Sequence, residues 1–183
     1  MIRLFDILFS FIGLFVLSPI FLILVIIGFL DTGSPLFFQE RMGFAKKPFY
    51  LIKFRSMHQK TIDVATHLVH KDSITRWGSF LRRSKLDELP QLLNVFIGDM
   101  SLVGPRPNLL NQNDLICERE IRGVYTVLPG ITGLAQIKKI DMSTQIILAE
   151  TDKEMITKLN IFEYFKYIIL TFRGNGFGDR VKN

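Results

Sequence analysis

The segment Arg82-Arg83-Ser84-Lys85-Leu86-Asp87-Glu88-Leu89-Pro90-Gln91 sets two adjacent carboxylates behind three basic residues. That pairing allows a division of labour. One carboxylate, kept ionised by nearby cations and by the positive end of a helix, can attack an electrophile. Its neighbour offers the hard oxygen ligand that Mg2+ prefers, and a bound Mg2+ can bridge a diphosphate. In this reading Asp87 is the nucleophile and Glu88 the metal ligand. The same residues also make a good helix start, since Asp at an N-cap and Glu in a first turn satisfy unpaired N–H groups. The segment alone admits both readings.

Other cations have spacing suited to phosphate. Gly104-Pro105-Arg106-Pro107 holds an arginine between two prolines. The prolines restrict the backbone, so less entropy is lost when the guanidinium is positioned to grip phosphate oxygens. A surface turn with a solvated arginine is the alternative. Lys53 and Arg55 are two apart and share one face of an extended strand, as phosphate contacts or as headgroup contacts. Asp6 is an acid in an apolar setting, read as an N-terminal interfacial residue rather than a catalytic one. His58, His67 and His70 lack the spacing and partners of a zinc site. The sequence has no Walker A motif and no G-x-G-x-x-G after a strand. Alternate glycines at 174, 176 and 178 read as a flexible tail.

The elements that must hold these residues follow from pattern. Asp31 to Pro35 reads as a turn. Phe49 to Phe54 reads as a strand, in a hairpin turning at Gly43 to Pro48. Residues 58–72 read as a polar mobile loop. Residues 73–83 have helical spacing, with Ile74, Trp77, Phe80 and Leu81 on one face. A second helix is expected to start near Asp87 and stop at Gly98, with Pro90 in its first turn. A third is expected over 109–122, a tight turn over Pro129 to Gly133, and a last helix over 157–172. Its stripe of Ile161, Phe162, Phe165, Ile168, Ile169 and Phe172 is assigned to the core in preference to a membrane surface.

Hydrophobic residues make up 48% of the 183, against 22% charged. With a mean hydropathy of +0.27, the apolar residues must be unevenly spread. Leu4 to Leu30 is almost continuously apolar, broken by polar side chains only at Asp6, Ser10 and Ser18. That exceeds the roughly 20 residues a membrane span needs. It is too long for a signal peptide, and no A-x-A-like site follows. Ser18-Pro19 sits mid-run and predicts a kink. A kinked span and a segment that returns to the side it entered are both compatible with this. Basic residues flank both ends, Arg3 before and Arg41, Lys46 and Lys47 after, which suits the second. The net charge of +6 points to anionic partners. Headgroups or phosphorylated substrates fit better than nucleic acid, for which no motif is present. Cys117 is the only cysteine and cannot form an intrachain disulfide, which is compatible with a reducing cytoplasm.

Taken in order, these pieces resemble the bacterial sugar transferase family of monotopic phosphoglycosyl transferases. The likeness rests on Arg3-Leu4-Phe5-Asp6, Ser18-Pro19, Gln39-Glu40-Arg41-Met42-Gly43 and Lys53-Phe54-Arg55-Ser56-Met57. It continues through Leu86 to Gln91, Gly98 to Pro107, and Pro129-Gly130-Ile131-Thr132-Gly133. Each piece is modest; the ordered set is specific. The resemblance implies an α+β fold, mostly α. Residues 1–30 would form a re-entrant membrane helix kinked at Ser18-Pro19, with both ends cytoplasmic. Residues 31–183 would form a catalytic domain with interfacial amphipathic helices and a small β element, at the cytoplasmic face of the bacterial inner membrane. It also implies a covalent mechanism. Asp87 attacks the β-phosphorus of a UDP-sugar, UMP leaves, and undecaprenyl phosphate takes the phosphosugar from the aspartate. Glu88 would ligate Mg2+, with Lys53, Arg55 and Arg106 as phosphate contacts. By analogy with the family, the sugar would be an N-acetylated amino sugar, and the product the first lipid-linked intermediate of a surface glycan.

The sequence departs from the family pattern in two places. Leu128 stands where an arginine often precedes Pro-Gly, and Lys138-Lys139-Ile140 stands where Asn-Gly-Arg is common. The additional N-terminal membrane helices of larger members are not expected in these 183 residues. Two rivals remain: a membrane-anchored binding module without catalysis, and a glycosyltransferase that releases UDP instead of UMP.

Overall fold

The structure, a computed structural model, describes residues 1–59 and 73–173. The expected loop residues from 60 to 72, with His67 and His70, and the glycines at 174, 176 and 178 lie outside the described residues.

The apolar run forms two helices, α1 (Ile2–Val16) and α2 (Ser18–Thr32), bent by 63° at the break. Pro19 has no N–H to donate and fits the first turn of α2. The Ser18 hydroxyl donates to the Phe15 carbonyl at 2.8 Å, satisfying one oxygen that the break frees. Each helix has 15 residues, so each is about 22 Å long, short of a bilayer core of about 30 Å. Among the described residues no single helix is long and apolar enough to cross a membrane; the bent pair passes that test only together.

One face of α1 is pinned to the rest of the fold. Asp6 is buried, and its Oδ1 accepts from Tyr164 Oη at 2.8 Å, Leu102 N at 2.9 Å and Ser101 Oγ at 3.0 Å. The expected interfacial role for Asp6 is therefore replaced by that of a buried tie. The carboxylate helps hold the Tyr164 phenol above its ordinary pKa, after burial as the larger cause. Arg3 is likewise more than a basic flank. Its guanidinium donates to the carbonyls of Phe96 and Met100, both at 3.2 Å. Leu24 and Gly28 bury the inner face of α2; Leu24 joins Phe54 and Leu81 in one apolar cluster. A Cβ on Gly28 would lie 2.8 Å from Pro35 Cβ, so only glycine permits this approach.

The expected hairpin is present. Strand β1 (Leu36–Met42) pairs antiparallel with β2 (Pro48–Phe54), with Phe37 opposite Lys53 and Arg41 opposite Phe49. Side chains alternate across the ribbon, so Gln39 and Arg41 of β1 share the buried face with Phe49, Leu51 and Lys53 of β2. Helix α3 (Arg76–Ser84) starts on Thr75, whose hydroxyl accepts from Gly78 N at 2.8 Å. Of its expected inner face, Leu81 is buried and Trp77 packs against the core, while Phe80 is exposed and Ile74 precedes the helix.

The second helix begins later than expected. Lys85 adopts a left-handed backbone (φ 57°), Leu86–Glu88 is a single 3-10 turn, and α4 (Gln91–Ile97) follows Pro90. Its end at Gly98, with φ 110°, agrees with the sequence expectation.

A second, parallel pair joins β3 (Ser101–Val103) to β4 (Gly130–Thr132), where only a tight turn was expected. A Cβ on Gly130 would sit 2.0 Å from Gly104 N, so the two glycines let these backbones touch. Between the strands runs α5 (Asn113–Ile121), four residues shorter at its start than expected. After β4 come α6 (Leu134–Ile137), α7 (Gln145–Lys158) and α8 (Ile161–Phe172). The last expected helix, 157–172, is present as α8 but starts four residues later, since 157 and 158 close α7 and Leu159-Asn160 part the two. The Asn160 side chain caps α8 by accepting from Phe162 N at 2.9 Å and Glu163 N at 3.1 Å. The α8 stripe is also divided. Phe165 and Ile168 pack with Tyr164, Tyr167 and Met155, whereas Phe162, Ile169 and Phe172 are exposed. The assignment of the whole stripe to the core is corrected accordingly. Among the described residues the fold is mostly helical with two small sheets, an α+β arrangement.

Candidate active site

Three elements bring the site together: the inner face of the β1–β2 hairpin, the turn at Leu86–Glu88, and the loop after β3. Glu88 is at the centre. Its Oε1 accepts from Arg106 Nη2 at 2.8 Å and lies 3.7 Å from Lys53 Nζ. Asp87, next in chain, is buried on the same turn. Two of the three residues read from sequence as phosphate contacts, Lys53 and Arg106, therefore meet the residue read as the metal ligand. Asp87 precedes α4 by four residues, and Arg106 and Lys53 stand at the neighbouring Glu88.

Arg55 is placed elsewhere. Strand β2 ends at Phe54, and the Arg55 guanidinium turns to the carbonyls of Ser34 (3.0 Å) and Leu36 (3.2 Å) over the Phe37 ring. It ties the strand end to the turn after α2.

Two cationic residues of the site were not singled out from the sequence. Arg41 belongs to the basic flank and to the Gln39-Glu40-Arg41-Met42-Gly43 motif without a role of its own, yet it is buried. Its Nη1 donates to the Pro107 carbonyl at 3.0 Å and its Nε to Gln39 Oε1 at 3.0 Å. Alternation with Gln39 on a strand was the available signal. Arg41, Lys53 and Arg106 line one narrow crevice together with Gln91 and Pro107. The second is Arg119 on α5, 1% exposed. It donates to Asp152 Oδ2 at 2.7 and 3.0 Å, to Asn108 Oδ1 at 2.9 Å and to the Arg106 carbonyl at 2.8 Å. Arg119 thus holds the backbone of the Pro-Arg-Pro turn, and Tyr125 Oη adds a bond to Asn108 at 3.0 Å. Burial pushes the Asp152 carboxyl above its ordinary pKa, with Arg119 pulling the other way. No pattern in the sequence links Arg119 to Asp152 across 33 positions.

The departures from the family pattern also have places. Ile140 packs against the cluster of Leu115, Ala135 and Leu148, so it supplies core and no cation. Lys138 pairs with Glu154 at 2.9 Å. Glu154 also meets Lys158, and hydrogen bonds to both lysines hold its carboxyl down at about 2.

Among the described residues no three His, Cys, Asp or Glu side chains converge as a metal cage. Mg2+ does not require one, since it takes one or two carboxylates and completes its shell with phosphate oxygens and water. Adjacent Asp87 and Glu88, with Arg106 and Lys53 at Glu88, are of the donor type that such an ion takes.

The arrangement sets the buried Asp87 carboxylate beside a second carboxylate that two cations face. The family profile described as bacterial sugar transferase matches residues 1–176. The chain belongs to that family and is a transferase. A Bacillus subtilis protein named uncharacterized sugar transferase EpsL is 38% identical over 172 residues, 93% of this chain and 85% of that protein. The UDP-glucose:undecaprenyl-phosphate glucose-1-phosphate transferase of Caulobacter vibrioides is 41% identical over 135 residues, 71% of this chain but 51% of its own length. A second Bacillus subtilis protein, a putative undecaprenyl-phosphate N-acetylgalactosaminyl 1-phosphate transferase, is 44% identical over 108 residues, 57% of this chain and 60% of its own. The chain therefore spans most of the first relative and only about half of the second.

Proposed function

We propose that this protein is a glycosyl-1-phosphate transferase that moves a phosphosugar from a UDP-sugar to undecaprenyl phosphate. The observation that carries this reading is the meeting of Lys53 and Arg106 on Glu88, beside the buried Asp87, in a chain of this family. An Asp87 carboxylate oxygen attacks the β-phosphorus. The bond from that phosphorus to the bridging oxygen breaks, and UMP leaves with that oxygen. An oxygen of undecaprenyl phosphate then attacks the same phosphorus, the Asp87–phosphorus bond breaks, and the carboxylate is restored. Arg106 and Lys53 bind the phosphate oxygens and neutralise charge as UMP departs. Arg119 keeps the Arg106 backbone in place. Glu88, with Asp87 beside it, would hold Mg2+, which supplies Lewis-acid polarisation of the diphosphate. The donor sugar we assign is an N-acetylated amino sugar. Relatives named for glucose favour UDP-glucose as the second reading.

The test is the released nucleotide. With UDP-sugar and undecaprenyl phosphate, UMP is expected, and UDP would place the protein with ordinary glycosyltransferases. Running UDP-N-acetylgalactosamine beside UDP-glucose decides the sugar. EDTA is expected to abolish release, and Glu88→Gln to lower it strongly; full activity in EDTA removes Mg2+ from the scheme.

We further infer that residues 1–30 form a re-entrant anchor at the cytoplasmic face of the bacterial inner membrane, with 31–183 as the catalytic part. The support is the break at Ser18-Pro19 together with a continuous apolar surface. Leu4, Leu8, Phe11 and Phe15 of α1 are exposed, and the Phe11 ring lies 6.1 Å from that of exposed Phe96 on α4. A surface of this kind suits lipid, and it begins one helix from the Asp87 turn, where a polyprenyl chain must arrive. In a Cys117→Ser background, cysteines at Ile2 and Ser143 are expected to label from the same, cytoplasmic side. Labelling of position 2 from the periplasm alone means a spanning helix.

A further inference from the structure

Gln91, the first residue of α4, is 2% exposed, yet its Nε2 has no acceptor. Folded proteins rarely leave a buried amide N–H unpaired, because it has lost water and gained nothing in return. An apolar side chain of the same shape avoids that loss. Gln91 lines the crevice formed by Arg41, Lys53, Arg106 and Pro107, three residues along the chain from Glu88. The acceptors around that crevice already serve the cations. Glu88 Oε1 takes Arg106 and faces Lys53, while the Pro107 carbonyl and Gln39 Oε1 take Arg41. The crevice lining presents the donors of Arg41, Lys53, Gln91 and Arg106 beside Leu51 and Pro107, and as it stands it is too narrow to admit a water molecule. Its complement is a group that brings several acceptor oxygens at once, which describes a phosphoryl group.

We propose that Gln91 is a further substrate-contacting residue, its Nε2–H donating to a non-bridging oxygen of the phosphoryl group that is transferred. The proposal rests on the phosphosugar-transfer reading and adds a residue to it. The cations supply charge, which attracts a diphosphate from any direction. A carboxamide supplies direction without more charge, and it cannot form an ion pair with Glu88. Arg106 moves from Glu88 to the incoming phosphate, and Gln91 then meets an oxygen of the same group.

The test uses the full-length protein in membranes. Gln91→Met keeps the shape and removes the donor. Its unfolding midpoint is expected to equal or exceed that of the wild type. Its kcat/KM for UMP release is expected to fall about 10- to 100-fold, the scale of one hydrogen bond to a charged group. Wild-type kcat/KM in folded Gln91→Met overturns the proposal. Gln91→Glu is the second variant. Ionised, it has no donor; protonated, it regains one. Arg41, Lys53 and Arg106 around the crevice keep it ionised at neutral pH, so its kcat/KM is expected to fall at least as far as that of Gln91→Met, and wild-type kcat/KM in a folded Gln91→Glu counts against the contact. Binding of inorganic pyrophosphate with Mg2+, followed by calorimetry, separates this idea from the reaction itself. Gln91→Met is expected to bind it about tenfold or more weakly. A wild-type protein that releases no UMP ends the transferase reading, and the pyrophosphate comparison then decides Gln91 alone, equal affinities overturning it.

Discussion

Asp87→Asn is expected to fold, to reach the membrane, and to release no UMP. The two side chains have the same shape, and Asp87 is buried in a 3-10 turn ahead of α4, so the exchange leaves packing intact. An amide cannot form the acyl-phosphate bond. Turnover should drop by about 10^4-fold or more, the scale seen when a covalent nucleophile is removed. Wild-type protein given UDP-sugar without lipid acceptor should release at most one UMP per active site and keep a phosphosugar adduct. Intact-mass analysis under non-alkaline conditions should place it on the peptide containing Asp87. The Asn variant should show neither burst nor adduct. A folded Asn variant that turns over near the wild-type rate eliminates the covalent mechanism.

Asp152→Ala is expected to cost about 3–5 kcal/mol, because it leaves the Arg119 guanidinium buried without its counter-charge. Both side chains of the pair are 1% exposed. On a domain stability of about 5–15 kcal/mol the loss is severe, and the thermal midpoint should fall by about 6–20 °C. The ion pair is not itself a large source of stability: burial outweighs Arg119 in setting the Asp152 carboxyl, and Asp152 Oδ1 has no hydrogen-bond partner. The double replacement Arg119→Met with Asp152→Leu should therefore recover most of the loss. Activity should not recover with it, because methionine cannot hold the Arg106 carbonyl. Thermal unfolding and UMP release, measured on both variants, separate the two effects. Full activity in the double variant would show that Arg106 needs no such support.

Several elements were legible because the signal is local. Ser18-Pro19 breaks the apolar run wherever that run is placed, since proline lacks the donor and clashes with the preceding turn. The hairpin followed from a strand pattern with a Gly-containing loop, and the stop at Gly98 from a residue that tolerates positive φ. The elements that were missed have mixed patterns. Helix α7 buries Leu148, Thr151, Asp152 and Met155 while exposing Ile146 and Ile147, so no clean apolar stripe marks it. The start of α4 was placed too early because acids ahead of a proline suit either a helix cap or a separate turn. The left-handed Lys85 decides for the turn.

The site divides in the same way. Sequence by itself determined the chemical types present and their local holders: a carboxylate pair, an arginine clamped by prolines, a lysine on a strand, and a broken apolar segment. It also determined family, because ordered short motifs are specific together. Tertiary structure alone decided which charges meet. It brought Arg106 and Lys53 to Glu88, sent Arg55 to the carbonyls of Ser34 and Leu36, and buried Asp6 against Tyr164. It also made Arg119 and Asp152 a support for the Pro-Arg-Pro turn. The physical reason is range. Propensities and turn rules act over a few residues, whereas a buried charge requires partners, and folding delivers those from segments as distant as the 158 positions between Asp6 and Tyr164.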